Sequence, residues 1–166
     1  MRAVVLLARK TPNGRKNVNV NVIVLDAYAL EAYLNDEVVA ADIVEPLILS
    51  GQQVLISGIN LAETLDRMIR VNGAMRHELE IDLIGLGLTV SGVDASVAFD
   101  AAALRAAHYH RSRRAVSLAD CCAAALSLDR DAPLVTSDPA LLALLHDEGG
   151  RYVALPNSVG KVWSPA

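Results

Sequence analysis

Short apolar runs alternate with longer segments of helical periodicity along most of the chain. The short runs are rich in Val, Leu and Ile and are bounded by polar or turn-forming residues, which is typical of buried strands. The predicted strands are 18–25, 53–57, 88–90, 133–136 and 152–155. The predicted helices are 27–34, 40–49, 60–71, 75–86, 95–111, 117–128 and 139–146. Pro46 should kink the second helix or mark a boundary in it.

The first predicted strand begins with alternating Asn and Val and ends in a continuous apolar run at 22–25. A continuous run indicates a strand covered on both faces. Strands that alternate with helices predict an α/β fold, with helices on both sides of a mainly parallel sheet of about five strands. We expect one domain over 18–160, an N-terminal arm or extra strand over 1–17, and a tail over 161–166.

Acidic residues follow several of the predicted strands. Asp26 directly follows the most apolar strand, and Asp138 lies two residues after another. Glu63 and Asp120 are expected in the first turns of helices. Ligands of open α/β sheets bind beyond the carboxyl ends of the strands, so these positions are candidates for one site.

Each acid also has a purely structural explanation. Asn60 precedes Glu63 by three positions, as in a capping box, and the spacing of Asp120 from a serine is the same. Asp138 precedes a proline and fits an N-cap, and Asp26 could cap its helix as well.

Taken together, four acids at one edge of a sheet would repel one another unless a cation lay between them. Clusters of carboxylate oxygens suit Mg²⁺ or Mn²⁺. Asp94 follows a strand and precedes a helix too, so position alone does not decide which acids belong to the cluster.

Composition narrows the class of protein without identifying it. Hydrophobic residues make up 53% of the 166 residues and charged residues 20%, which is a globular profile. The formal net charge of -4 argues weakly against a general nucleic-acid coat, but bound divalent cations would reverse the local sign in an acidic site. The adjacent Cys121 and Cys122 are expected to be core residues, and no disulfide framework is possible.

The apolar run at 3–8 is shorter than that of a signal peptide, and nothing approaches the length of a membrane span. We therefore expect a soluble cytoplasmic protein.

Four segments, taken in order, resemble the motifs of PIN domains, and specifically of VapC-type toxins. They are Val-Leu-Asp-Ala-Tyr-Ala-Leu at 24–30, Ser-Gly-Ile-Asn-Leu-Ala-Glu at 57–63, Ser-Leu-Ala-Asp-Cys-Cys-Ala-Ala-Ala at 117–125 and Leu-Val-Thr-Ser-Asp-Pro-Ala-Leu at 134–141. The resemblance covers about residues 20–156. It implies a PIN-like three-layer α/β/α fold, and it departs from the family at the N-terminal arm.

The resemblance also implies roles for residues of this chain. It gives the role of metal ligand, for Mg²⁺ or Mn²⁺, to Asp26, Glu63, Asp120 and Asp138, and a supporting polar role to Thr136 or Ser137. It favours a capping role for Asp94. It further implies RNA as the substrate, a homodimer, and an antitoxin protein as partner. A groove between the helices at 28–34 and 40–49 would accept an antitoxin peptide, although core packing explains their apolar residues equally well.

Substrate affinity requires cations outside the acidic site. The densest basic stretch lies just before the helix of Asp120, and its candidate RNA-binding residues are Arg105, Arg111, Arg113 and Arg114. The alternative is a solvated helix end, where cations favour the helix dipole.

The sequence lacks residues that several other functions of α/β proteins require. A haloacid-dehalogenase-like phosphatase needs a second Asp where this chain has Tyr28, and a phosphate-binding loop is absent. A receiver-type domain lacks a suitable lysine after a late strand. An inactive PIN-like binding module, or a PIN nuclease with a housekeeping RNA or DNA substrate, stays open as an alternative.

Overall fold

A five-stranded, all-parallel sheet forms the centre of the protein in the computed structural model, which describes residues 22–165. The strands are β1 (Val22–Leu25), β2 (Gln53–Ser57), β3 (Thr89–Ser91), β4 (Leu134–Thr136) and β5 (Tyr152–Ala154). Their order in the sheet is β3-β2-β1-β4-β5, so β1 is central. The prediction of a mainly parallel sheet of about five strands is confirmed.

Helices connect the strands within this part of the chain. They are α1 (Ala27–Leu34), α2 (Ala41–Leu49), α3 (Gly58–Arg70), α4 (Arg76–Gly85), α5 (Ala95–His108), α6 (Leu118–Arg130) and α7 (Pro139–Asp147). Every predicted helix is present. Pro46 lies inside α2, which continues beyond it to Leu49, so Pro46 does not end the helix.

Alternate side chains of β1 point to opposite faces of the sheet and pack into two separate parts of the core. Val22 and Val24 face a cluster that contains α6 and α7, whereas Ile23 and Leu25 face a second cluster with α1 and α2. All four side chains are buried, which explains the continuous apolar run. Helices on both faces of the sheet give the three-layer α/β/α architecture.

The predicted arm at 1–17 and the start of the first predicted strand, at 18–21, lie outside the described residues. Near the other end, the indole of Trp163 packs edge-on against Tyr152, with ring centroids 5.8 Å apart.

No helix among residues 22–165 combines the length and the apolar content that a membrane span requires.

Candidate active site

A pocket of about 290 Å³ lies at the carboxyl end of the sheet, next to the central strand. It brings together the four acids that the sequence singled out, Asp26, Glu63, Asp120 and Asp138. These side chains come from four separate parts of the chain, and the fold alone places them together. Ser137 also lines the pocket, whereas Thr136 is fully buried beneath it, at the end of β4.

The elements that carry the acids explain their convergence. Asp26 directly follows β1, and Asp138 lies two residues after its parallel neighbour β4. Asp120 is in the first turn of α6. Glu63 is in the second turn of α3, because that helix begins at Gly58.

The predicted capping box between Asn60 and Glu63 is wrong. Ser57 is the N-cap of α3, and its hydroxyl oxygen accepts a hydrogen bond from the Asn60 backbone N–H at 3.1 Å. Ser57 in turn donates a hydrogen bond to the Asn60 side-chain oxygen. The Glu63 carboxylate therefore plays no part in capping α3.

The other three acids cap helices as well as lining the pocket. Asp26 Oδ1 accepts from the Ala29 N–H at 2.7 Å, and Asp138 Oδ1 accepts from the Ala140 N–H at 2.6 Å. Asp120 Oδ2 accepts from the Ser117 N–H at 2.6 Å, which completes a capping box. Each of these caps uses one carboxylate oxygen. A capping role and a ligand role are therefore compatible, and the caps fix the orientation of each carboxylate.

Burial in the pocket raises the free energy of the ionised carboxylates and therefore raises their pKa values. The pKa of Asp26 is raised to about 7, chiefly by burial and to a smaller extent by the nearby Asp120 and Asp138, against the lowering effect of its hydrogen bonds. Burial also raises the pKa of Asp120, with a contribution from Asp138. The pKa of Glu63 is raised by burial and then by Asp120. A bound cation would remove this penalty.

Thr136 links two of the acids. Its hydroxyl oxygen accepts a hydrogen bond from the Asp138 N–H at 3.0 Å. The nearby Thr136 side chain also lowers the pKa of the Asp26 carboxylate, against the larger effect of burial.

The donor set of the pocket fits a hard divalent cation. It consists of carboxylate oxygens, one of them strongly desolvated, and carboxylates of this kind hold Mg²⁺ or Mn²⁺ together with water. Within residues 22–165, no three acidic, histidine or cysteine side chains already lie close enough to hold a metal ion. Binding would therefore draw the carboxylates together or proceed partly through water.

The four arginines proposed from the basic stretch do not line this pocket. The Arg105 guanidinium lies 4.4 Å from the centre of the Tyr109 ring, and Arg114 donates to Asp147 at 2.7 Å. Arg111 and Arg113 are exposed in the turn after α5. That helix ends at His108 and not at 111 as predicted, because the chain folds into a tight turn there.

Asp94 caps α5, accepting from the Val97 N–H at 3.0 Å, and it does not line the pocket. The capping role favoured for it is confirmed. Cys121 and Cys122 are buried and free, as expected for core residues. Burial raises the pKa of Cys121 to about 11, so its thiol is protonated at neutral pH.

Sequence reasoning missed several pocket residues, namely Tyr28, Asn60, Arg67 and Asn157. Arg67 follows Glu63 by one helical turn, and this spacing could have revealed it. Asn157 had no local signal, because only the pairing of β5 with β4 brings it to the pocket.

Residues 23–144 match the PIN domain family. The match spans most of the chain and contains all four acids, and the chain belongs to the PIN-domain family. No curated protein gave a significant match in sequence.

Several solved structures share the fold. The VapC20 toxin of Mycobacterium tuberculosis, described as cleaving the sarcin-ricin loop, superposes with a TM-score of 0.59 and 20% identity, over 73% of this chain and 93% of that one. A toxin-antitoxin complex from Klebsiella pneumoniae gives a TM-score of 0.56 and 17% identity, over 73% and 90%. VapBC2 from Rickettsia felis, bound to a DNA fragment of its promoter, superposes with a TM-score of 0.53 and 19% identity, over 74% of this chain and 91% of that one. The resemblance to PIN domains, and in fold to VapC toxins, is confirmed.

Proposed function

We propose that this chain is a divalent-metal-dependent endoribonuclease and the toxin of a toxin–antitoxin pair. The observation that carries the proposal is the pocket itself, where four carboxylates from separate elements of a PIN fold meet at the carboxyl end of the sheet. The likeness to VapC20 supports RNA as the substrate, and the two toxin–antitoxin neighbours support an antitoxin partner. Because the proposed substrate and the proposed antitoxin are both cytoplasmic, we propose that this protein is cytoplasmic too.

The carboxylates of the pocket are proposed to bind the metal and to accept a proton. Asp26, Asp120 and Asp138, oriented by their capping hydrogen bonds, would hold Mg²⁺ or Mn²⁺, and Glu63 would complete the set. The metal, when bound, supplies Lewis-acid activation of a water and neutralises charge that develops on the phosphate. The Glu63 carboxylate caps no helix, so it is also the one proposed to accept the proton of the attacking water.

The experiment that tests this function is cleavage of a labelled single-stranded RNA by the purified full chain. We expect cleavage in Mg²⁺ or Mn²⁺ and none in EDTA, with activity restored when the metal is returned in excess. Products on a denaturing gel with undiminished yield in EDTA would contradict the proposal.

A groove of about 850 Å³ between α2 and α4 suits the antitoxin. Its apolar lining residues are Tyr33, Leu34, Ile48, Leu49, Ile81 and Leu86, and its acidic ones are Asp36, Asp42, Glu45 and Asp82. The sequence predicts a groove between the first two helices; the end of α1 does line this cavity together with α2, and α4 forms its other wall. We propose that an amphipathic antitoxin segment with apolar and basic side chains occupies it.

Ile81→Glu is expected to weaken inhibition by the antitoxin roughly tenfold or more, because a bound antitoxin segment would bury the new charge in the apolar part of the groove. The antitoxin for this test is the small protein encoded beside the toxin, co-expressed and then titrated into the RNA cleavage assay. Ile69→Glu is the matched control, since Ile69 is 47% exposed on α3 and lies outside the groove. Equal inhibition of both variants would place the antitoxin elsewhere.

The outer surface of α5 suits a second copy of the chain. Phe99 is 78% exposed there, and the exposed Ala95, Ala102 and Ala106 extend an apolar face along the helix. We propose that this face forms the homodimer contact.

Arg111 and Arg113, in the turn after α5, are proposed as outer contacts to RNA phosphates.

Phe99→Glu is expected to convert a dimer to a monomer, since two copies of the charge would face each other across a two-fold contact. Size-exclusion chromatography with light scattering measures the mass directly. Val38→Glu, at a side chain 82% exposed in the loop before α2, is the control. A dimer that persists in Phe99→Glu would exclude this face.

A further inference from the structure

Among the described residues that line the acidic pocket, Arg67 is the one basic side chain. It lies on α3, one turn after Glu63, so the two share a helix face. The same face carries the buried Asn60 and Thr64, and the Thr64 hydroxyl donates to the Ala27 carbonyl at 3.1 Å. The contact at Ala27 fixes α3 beside the first turn of α1 and leaves Arg67 at the rim of the pocket.

Glu31 on α1 holds the Arg67 guanidinium at this rim. Arg67 Nη1 lies 2.7 Å from Glu31 Oε2, and the two side chains are 46% and 18% exposed. This pair uses one terminal nitrogen of a group that has five N–H donors. The Arg67 side chain is 46% exposed, so its remaining N–H donors are open to an incoming anion that shares the guanidinium with Glu31.

An acidic pocket repels a nucleic acid strand unless cations guide the phosphates beside it. Guanidinium groups bind phosphate oxygens with two parallel hydrogen bonds and stay charged at any working pH. We propose that Arg67 binds an RNA phosphate next to the linkage that is cleaved, and that Glu31 keeps the guanidinium oriented until RNA arrives. This inference rests on the proposed function and assigns to Arg67 the positioning of the substrate.

Arg67→Gln tests the proposal by RNA binding. A fluorescently labelled single-stranded RNA is titrated with the full chain in EDTA, where cleavage is blocked, and its anisotropy is followed. We expect the dissociation constant to rise about tenfold, the usual order for losing one charge-assisted hydrogen-bonded contact. The slope of log affinity against log salt should fall by about 0.7, the value for one phosphate contact in a single strand.

Arg70→Gln is the matched control. Arg70 lies on the same helix and pairs with Asp66 at 3.0 Å, so its removal changes the net charge and breaks an ion pair in the same way. Arg70 does not line the pocket. We expect its variant to keep the affinity and nearly the full salt slope of the parent chain. Equal losses in the two variants would overturn the proposal, because they would reveal only the general effect of charge.

Two further variants separate a phosphate contact from a counter-ion role. If Arg67 served only to neutralise Glu31, the double variant Glu31→Gln/Arg67→Gln would recover full RNA affinity, and the proposal would fail. Under the proposal the double variant stays weak, while Arg67→Lys, which keeps the charge but loses the two-pronged geometry, recovers part of the affinity.

Failure of the inference is distinguishable from failure of the proposed function. If the parent chain cleaves RNA in Mg²⁺ and Arg67→Gln binds RNA as the parent does, then the nuclease proposal stands and the role of Arg67 is refuted. If the parent chain neither binds nor cleaves RNA, both are refuted together.

Discussion

Asp26→Asn is expected to lower RNA cleavage in Mg²⁺ by more than about 100-fold. Even residues that only support a metal ligand cost about 10–100-fold when replaced, and Asp26 is proposed as a ligand at the buried end of β1. Asparagine keeps the shape and can still accept the Ala29 N–H, because Asn and Asp cap helices about equally well. The change therefore removes the charge without removing the cap.

The same substitution is expected to stabilise the metal-free protein at pH 8. A buried carboxylate whose pKa rises from 3.8 to about 7 destabilises the folded state by about 4 kcal/mol once it is ionised. Desolvation of the Asn amide offsets part of this, so we expect a gain of roughly 1–3 kcal/mol in the free energy of unfolding. Urea denaturation in EDTA, followed by circular dichroism, measures it.

Asp94→Asn is the matched control for both measurements. Asp94 also follows a strand and caps a helix, but it is exposed and lies outside the pocket. Its variant should cleave RNA at the rate of the parent chain and should not gain stability. Cleavage by Asp26→Asn at the parental rate would remove Asp26 from the site.

The strands and the convergence of the acids could be predicted from the sequence for physical reasons. A run such as 22–25 has no polar face to expose, so it must lie between two layers of helices. Once the sheet is parallel, residues that follow its strands share one edge, which brings Asp26 and Asp138 together. Glu63 and Asp120, carried on helices, needed the motif resemblance as well.

The start of α3 was predicted wrongly because Ser57 and Asn60 are both good helix caps. Sequence alone gives no basis for choosing between two caps three residues apart. The choice is made by the sheet, since β2 remains paired with β3 up to Ser57, opposite Ser91, and the helix begins at the next residue. That shift of one turn is what frees the Glu63 carboxylate from a capping role.

The end of α5 depends on a contact between distant parts of the chain. His108 Nε2 lies 2.6 Å from Glu148 Oε1, and Arg114 lies 2.8 Å from His108 Nδ1. The contact to Glu148 holds the last turn of α5 against the end of α7, forty residues away in sequence. The sequence predicts RNA contacts for this basic stretch only because its basic residues are close together. That pattern gives no information about partners such as Asp147, which pairs with Arg114 from 33 residues away.

Metal-free protein is expected to lose stability as the pH rises from about 4 to about 7. The raised pKa of Asp26 means that the folded state binds a proton that the unfolded state has already released in this range. Folding is then opposed by about 4 kcal/mol above pH 7 and unopposed by this group below pH 4. Because other acids also titrate, the quantity to measure is the difference in unfolding free energy between the parent chain and Asp26→Asn at pH 5 and pH 8. The same difference at both values would refute the buried charge.

Mg²⁺ should reverse this trend, because it binds the ionised carboxylates in competition with protons. At pH 8, a Mg²⁺ concentration of about 100 times the dissociation constant should stabilise the parent chain by about 2.7 kcal/mol. At pH 5 the proton on Asp26 must first be removed, so the same concentration should stabilise it far less. Asp26→Asn should show little response at either pH. Denaturation curves with Mg²⁺ and with EDTA measure all of these, and an equal stabilisation of the parent chain at pH 5 and pH 8 would show that the metal binds without the ionised Asp26.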